Sequence, residues 1–276
     1  MYKQTGNHFF SNFLVFVFTF LLSIPLISQA SGQNLRVVEN TAFSPGEKLM
    51  FRAYYSSALT GNVTAGEASL EILESSQSIG GRSTMPVIGL MRTRGLFNLF
   101  FRVNNRFESY IDRSAIAPIL FIRRVEEGRY RKSQDVMFNH FDKVAISNTA
   151  SVPIPPYVQD IISAFYFART YQFENPKIGD EFNVDFFLDD SVYVTRIVFD
   201  GYERINTRLG TFNTLRFKPM VLKGKVFSQP YPMTLWISDD KNRVPVMVES
   251  GLVVGSVRLE LSDYQGLRNP LTSKIR

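Results

Sequence analysis

Beyond about residue 42 the chain alternates apolar and polar positions with the two-residue period of a β-strand. Within 65–73, Ala68, Leu70 and Ile72 share one face and Ser69 and Glu71 the other. Within 252–261, Val253, Gly255, Val257, Leu259 and Leu261 point one way while Arg258 and Glu260 point the other. The same rhythm predicts strands over 48–56, 107–111, 120–125, 130–138, 182–188, 192–205, 212–222, 233–237 and 244–249. One wet face per strand indicates an antiparallel sheet. The connections agree, because Asp189-Asp190-Ser191, Leu209-Gly210 and Asp239-Asp240-Lys241-Asn242 are turn-formers too short for parallel crossovers.

Two segments break the period. After Pro153-Ile154-Pro155-Pro156, residues 157–171 place Val158, Ile161, Ile162 and Phe165 at helical spacing, with Asp160 in the first turn and Arg169 in the last. Phe165, Tyr166 and Phe167 make this helix apolar around much of its circumference, so it must be covered on several sides. Residues 95–102 form a shorter candidate, too apolar for an exposed loop and expected to plug the core or cover an opening. The predicted fold is mainly β. It is an antiparallel curved sheet or half-open β-barrel, with an internal or covering helix at 157–171 and a short apolar helix at 95–102.

The N-terminus follows another logic. Lys3 precedes an apolar run from Phe13 to Ile27 that ends in Ser28-Gln29-Ala30, the pattern of a secretory signal peptide. Its apolar core is about 15 residues, short of the roughly 20 that span a bilayer. Cleavage is expected after Ala30. The reading is a signal peptide at 1–30, a flexible lead-in at 31–42, one β-rich domain at 43–264 and a tail at 265–276. Residues 153–156 are the one candidate divide. The product is expected to be exported, soluble in the periplasm or outside the cell, and without a stable transmembrane anchor.

The chain has no cysteine, so it has no disulfide, thiol nucleophile or lipidated cysteine. Its two histidines are His8 and His140, so the processed chain lacks a histidine pair for a metal or a relay. His140, in Asn139-His140-Phe141-Asp142, reads as a turn residue with a structural or solvated role. No metal or cofactor is expected. Asp180, Glu181, Asp185, Asp189 and Asp190 lack calcium-loop spacing. Asp239 and Asp240 suit a turn better than a glycosidase carboxylate pair. There is no Gly-x-Ser-x-Gly elbow and no phosphate loop. No catalytic residue is assigned.

Charge changes the picture in one place. The whole chain carries +6, and between Arg92 and Lys132 ten basic residues face four acids. In an exported protein the matching anions are lipid head groups, envelope polymers or an acidic partner, rather than nucleic acid. Solvent-facing strand charge is the plainer explanation. The chain also holds 25 phenylalanines, 12 tyrosines and one tryptophan, enough to fill a core or line a cavity. The candidate ligand contacts are Arg123, Arg124, Arg129, Arg131, Phe165, Tyr166, Arg169 and Trp236.

An ordered set of short motifs resembles domain-of-unknown-function family 3108, a group of exported bacterial proteins. The set is Phe43-x-Pro45-Gly46-Glu47, Phe107-Glu108-Ser109-Tyr110-Ile111-Asp112 with Pro118, Asp160 to Tyr166 with Arg169, Leu209-Gly210-Thr211-Phe212, and Trp236 to Asp240 with Pro245. The resemblance implies a β-rich domain without an assigned reaction and transfers no catalytic residue. A looser architectural likeness, to half-open barrels that carry lipoprotein acyl chains, is an analogy of fold. The expected function is binding of a lipid or other apolar or amphipathic envelope molecule in a barrel-like cavity. The alternatives are an assembly module for an envelope protein partner and a carboxylate-dependent hydrolase.

Overall fold

The computed structural model describes residues 35–59, 61–173, 175–220, 233–252 and 254–275. The export signal read at 1–30 lies outside the described residues. Short polar turns fold neighbouring strands back on one another. The strands are β1 (Lys48–Ser57), β2 (Gly61–Ile72), β3 (Gln77–Ile79), β4 (Arg82–Thr93), β5 (Asn104–Asp112), β6 (Pro118–Glu127), β7 (Tyr130–Asn139), β8 (Val144–Ser147) and β9 (Ser151–Pro153). After the helix come β10 (Glu181–Leu188), β11 (Ser191–Thr207), β12 (Gly210–Pro219), β13 (Met233–Ser238), β14 (Pro245–Gly251), β15 (Ser256–Gln265) and β16 (Lys274–Ile275).

All belong to one antiparallel sheet ordered β10-β11-β12-β13-β14-β15-β1-β2-β4-β5-β6-β7-β8-β9, with β3 on β4 and β16 on β12. Residues 153–156 run out of β9, one edge of the sheet, and β10, the other edge, begins at Glu181. Pairing of β1 with β15, through Phe51↔Leu261 and Ala53↔Leu259, joins both halves into one sheet.

The sheet curls but its edges do not pair directly. Segment 154–160 fills the seam: Gln159 forms a parallel bridge to Phe186 of β10, and its side-chain amide donates to the Ile116 carbonyl at 3.2 Å. The β10–β11 turn closes the seam further along. Asp189 and Asp190 both adopt the left-handed conformation, φ 49° and 56°, as a two-residue hairpin turn requires. Asp189 then pairs with Arg123 and Lys132, while Asp190 accepts from Gln134 at 2.9 Å and Thr149 at 2.6 Å.

Strand β4 is absent from the sequence reading, and it carries Pro86 and Gly89, residues that argue against a central strand. Both have local reasons. The β2 ladder ends at Ile72↔Val87, so Pro86 stands just past the pairing that its missing N–H would break. Gly89 sits under the helix: a Cβ there would lie 2.9 Å from Ile162 Cδ1 and 3.3 Å from Leu70 Cδ2.

The helices are shorter than predicted. The longer one, α2, covers Ile161–Arg169, and the shorter, α1, covers only Phe97–Phe100. α1 neither plugs the core nor covers an opening. Leu96, Leu99 and Phe100 are 76%, 78% and 86% exposed. β4 and β5 pair as far as Arg92↔Asn104, which leaves their connection beyond the end of a sheet whose interior α2 already occupies.

Both terminal segments are also more integrated than expected. In the lead-in, Leu35 and Ala42 are buried, and the Val38 N–H donates to the Ser114 carbonyl at 2.8 Å. Arg36 stacks its guanidinium between Tyr157 and Phe167, 4.2 Å and 4.6 Å from the ring centres. At the tail, Ser273 is buried, and the backbone hydrogen bonds of β16 extend the ladder of β12.

Candidate ligand cavity

Helix α2 is set in place by its first residue. The Asp160 carboxylate accepts from the backbone N–H groups of Ile162 and Ser163 at 2.7 and 2.8 Å, and Ser163 Oγ accepts from the Asp160 N–H at 2.8 Å, a reciprocal capping box. From β5, the Ser109 hydroxyl donates to the same carboxylate at 2.6 Å. Complete burial pushes the Asp160 carboxyl up to about 6, against the pull of these hydrogen bonds.

One face of α2, with Ile162, Ser163, Tyr166 and Arg169, is buried. Tyr166 packs edge-on to Phe43 at 4.8 Å, in a core that includes Val87, Ile111, Phe121, Val136 and Phe187. The other face borders a half-open cleft. Ile161, Ala164, Phe165 and Ala168 line a cavity of about 470 Å³ whose walls are alternate residues of β10 (Phe182, Val184, Phe186) and β13 (Met233, Leu235, Ile237).

Two arginines border this space, one held tightly by an acid and one loosely. Arg169 donates to Glu47 Oε2 at 2.7 Å and pairs with Oε1 through its other terminal nitrogen. Its Nε and Nη2 also donate to the Asn242 carbonyl at 3.1 and 2.9 Å. Burial would lower the Arg169 pKa, but the Glu47 charge and hydrogen bonds raise it instead. Arg243 is different. Its Nη1 is buried and makes no hydrogen bond, and the nearest carboxylate oxygen, on Asp239, is 3.7 Å away. The Phe173 ring lies 5.8 Å from the guanidinium.

Of the candidate contacts read from the sequence, Phe165 and Arg169 line the cavity. Tyr166 projects into the packed core instead, fully buried with its hydroxyl unbonded, and burial raises its pKa. Trp236 lies between Leu235 and Ile237 and so on the opposite face of β13, where its indole N–H donates to Glu203 at 2.9 Å. The four arginines sit elsewhere. Arg123 is buried against Asp189, Arg124 pairs with Asp135, Arg131 lies 3.7 Å from Glu126, and Arg129 is exposed with no ion pair among the described residues. The basic stretch therefore does not rim the cavity.

Arg243 and Phe173 escaped the sequence reading, for a turn arginine and an isolated aromatic carry no periodic signal. The carboxylates considered for chemistry are scattered. Asp240 accepts from Ser238 Oγ at 3.0 Å, the Asn242 N–H at 2.9 Å and the Ser273 N–H at 3.1 Å, and Asp160 is the helix cap. No carboxylate stands among the described residues of the cavity wall. His140 is buried, its pKa lowered chiefly by desolvation. It lies 2.8 Å from the Pro118 carbonyl and accepts from the Tyr157 N–H through Nδ1 at 3.3 Å, so its neutral form donates from Nε2.

The chain belongs to the family of proteins of unknown function DUF3108, whose profile matches residues 50–262. A search of the curated proteins finds no match. Among solved structures, the chain is similar to a β-barrel-like protein of domain-of-unknown-function family DUF1849 from Brucella abortus, with TM-score 0.51 and 9% identity over 84% of this chain and 99% of that one. It also matches a protein from Parabacteroides distasonis provisionally named a lipoprotein, at TM-score 0.35 and 12% identity over 84% of this chain and all 100% of the other. The first of these shows a β-barrel-like fold and nothing about function.

Proposed function

We propose that this DUF3108 protein is an exported binding protein that holds an amphipathic envelope molecule, with an apolar chain along α2 and an anionic head at Arg243. The observation that carries the reading is the divided environment of α2: one face is packed, while the other borders a half-open apolar cavity beside Arg243, whose acid contact, to Asp239 at 3.7 Å, is looser than that of Arg169. A void of about 470 Å³ falls within the roughly 300–1,000 Å³ of small-molecule pockets. Its sparse polar equipment suits a ligand recognised by shape along its length and by charge at one end. Among the described residues no helix is long and apolar enough to cross a membrane.

The test compares two ligands that differ only in their head. By calorimetry, dodecanoate should bind about tenfold more tightly than dodecanol, the usual worth of a charge-assisted hydrogen bond. Arg243→Gln should erase that preference and leave dodecanol unaffected. Leu235→Trp, which narrows the cavity beside α2, should weaken uptake of both. Absence of binding by either ligand, or a Leu235→Trp variant that binds normally, would overturn the reading.

A further inference from the structure

We infer that one end of the barrel is a docking surface for an anionic lipid bilayer. The inference stands on surface residues and is independent of the cavity. Four connections meet at this end. Ser56 pairs with both Asn62 and Ser256, which places the β1–β2 and β14–β15 turns side by side. The Tyr55 hydroxyl donates to the Val254 carbonyl at 3.2 Å. The β4–β5 connection adjoins them, with the Arg94 N–H on the Ala65 carbonyl at 3.0 Å and the Phe97 ring 5.7 Å from Tyr55. The β6–β7 turn follows, its Gly128 N–H on the Arg102 carbonyl at 2.8 Å.

These turns present apolar side chains to solvent. Leu59 is 95% exposed, Val254 68%, and Leu96, Leu99 and Phe100 are as bare as noted above. Single exposed apolar residues are ordinary, but a cluster drawn from separate turns marks an interaction surface. Arginines surround it. Arg92, Arg94, Arg102, Arg129 and Arg131 are all exposed. Arg94 is taken up by Glu67, whereas Arg92, Arg102 and Arg129 have no ion pair among the described residues.

Charge complementarity selects the occupant. Leucine and phenylalanine at turn tips, beside five arginines of which Arg92, Arg102 and Arg129 have no carboxylate partner among the described residues, match a medium that is apolar below and anionic at its surface. They also give a role to the exposed part of the basic stretch, Arg92, Arg94, Arg102, Arg129 and Arg131, none of which lines the cavity.

The test is cosedimentation of the processed chain, starting at Ser31, with vesicles of phosphatidylglycerol and phosphatidylethanolamine or of phosphatidylcholine alone. Binding to the anionic vesicles should be at least about tenfold tighter and should fall with salt. The double variant Leu99→Asp/Phe100→Asp should lose at least about tenfold in affinity, and the triple change of Arg92, Arg102 and Arg129 to Gln should weaken binding and flatten its salt dependence. Leu59→Asp, on a different turn, should reproduce the loss with unchanged melting. The inference fails if the parent chain does not pellet with anionic vesicles, or if the apolar variants pellet as the parent does. It also fails if the parent is a dimer that these variants dissociate, since a second copy would then be the occupant.

Discussion

The two faces of α2 are nine residues of one helix in two different solvents. Toward Phe43 and Phe187 the helix meets close-packed side chains and a tight ion pair; toward Phe182 and Leu235 it meets a half-open cavity and an arginine whose nearest acid stands 3.7 Å away. A packed face fixes position, and an unfilled face leaves apolar surface whose burial awaits something else. The same contrast separates Arg169 from Arg243, whose difference lies in the carboxylate each one meets.

The largest effect should come from opening the packed side at its charge. Glu47→Ala leaves Arg169 buried without its counter-ion, and such breaks cost about 3–5 kcal/mol. Asp135→Ala removes the partner of Arg124, but both groups are about half exposed, and pairs of that kind contribute about 0–1 kcal/mol. Urea unfolding of both variants checks the difference. A Glu47→Ala cost as small as that of Asp135→Ala would show that Arg169 finds water or another acceptor, and the two faces of the helix would be less distinct than the geometry states.

Next in size is the pH response of the helix cap. With its pKa raised to about 6 from an ordinary 3.8, folded Asp160 keeps a proton that the unfolded chain releases. The stability linked to it is fully present below about pH 4 and is lost as pH rises toward about 6, by roughly 3 kcal/mol. Asp160→Asn keeps a capping oxygen and cannot ionise, so the difference between variant and parent should grow across that window and level off above it. His140, with its lowered pKa, pulls the other way, losing stability as pH falls through its unfolded value, and it cancels in the comparison. Parallel pH profiles for the two chains would mean that Asp160 titrates normally, with water reaching the cap.

How much of this was legible in the sequence follows from which features are periodic. Alternation from 182 to 188 and the helical spacing of Val158, Ile161, Ile162 and Phe165 announced the curved sheet and its helix. Pairwise features were silent. That Gly46-Glu47 lies against Arg169 depends on a contact 122 residues apart, and no local rule connects them. The segment 95–102 departs for another reason: its hydrophobicity predicts burial, although apolarity states a preference for a nonaqueous surrounding without saying that the protein supplies it. Trp236, expected among the ligand contacts, stands one position from the cavity-lining Leu235 and Ile237, which on a strand is the opposite face.

The smallest effect is the most discriminating between the two sides. Val136→Phe places extra volume in the filled core, where Val136 is 1% exposed, and overpacking there should cost about 1–3 kcal/mol. Leu235→Trp adds more volume, yet it enters space that the fold leaves empty, so the change should stay within about 1 kcal/mol and melting should hold or rise. The larger substitution is thus expected to be the gentler one, because it enters a half-open cleft and not a packed core. Equal losses in the two variants, measured by thermal melting in the absence of lipid, would show that the void closes in solution, and with it would go the room for an acyl chain beside Phe165.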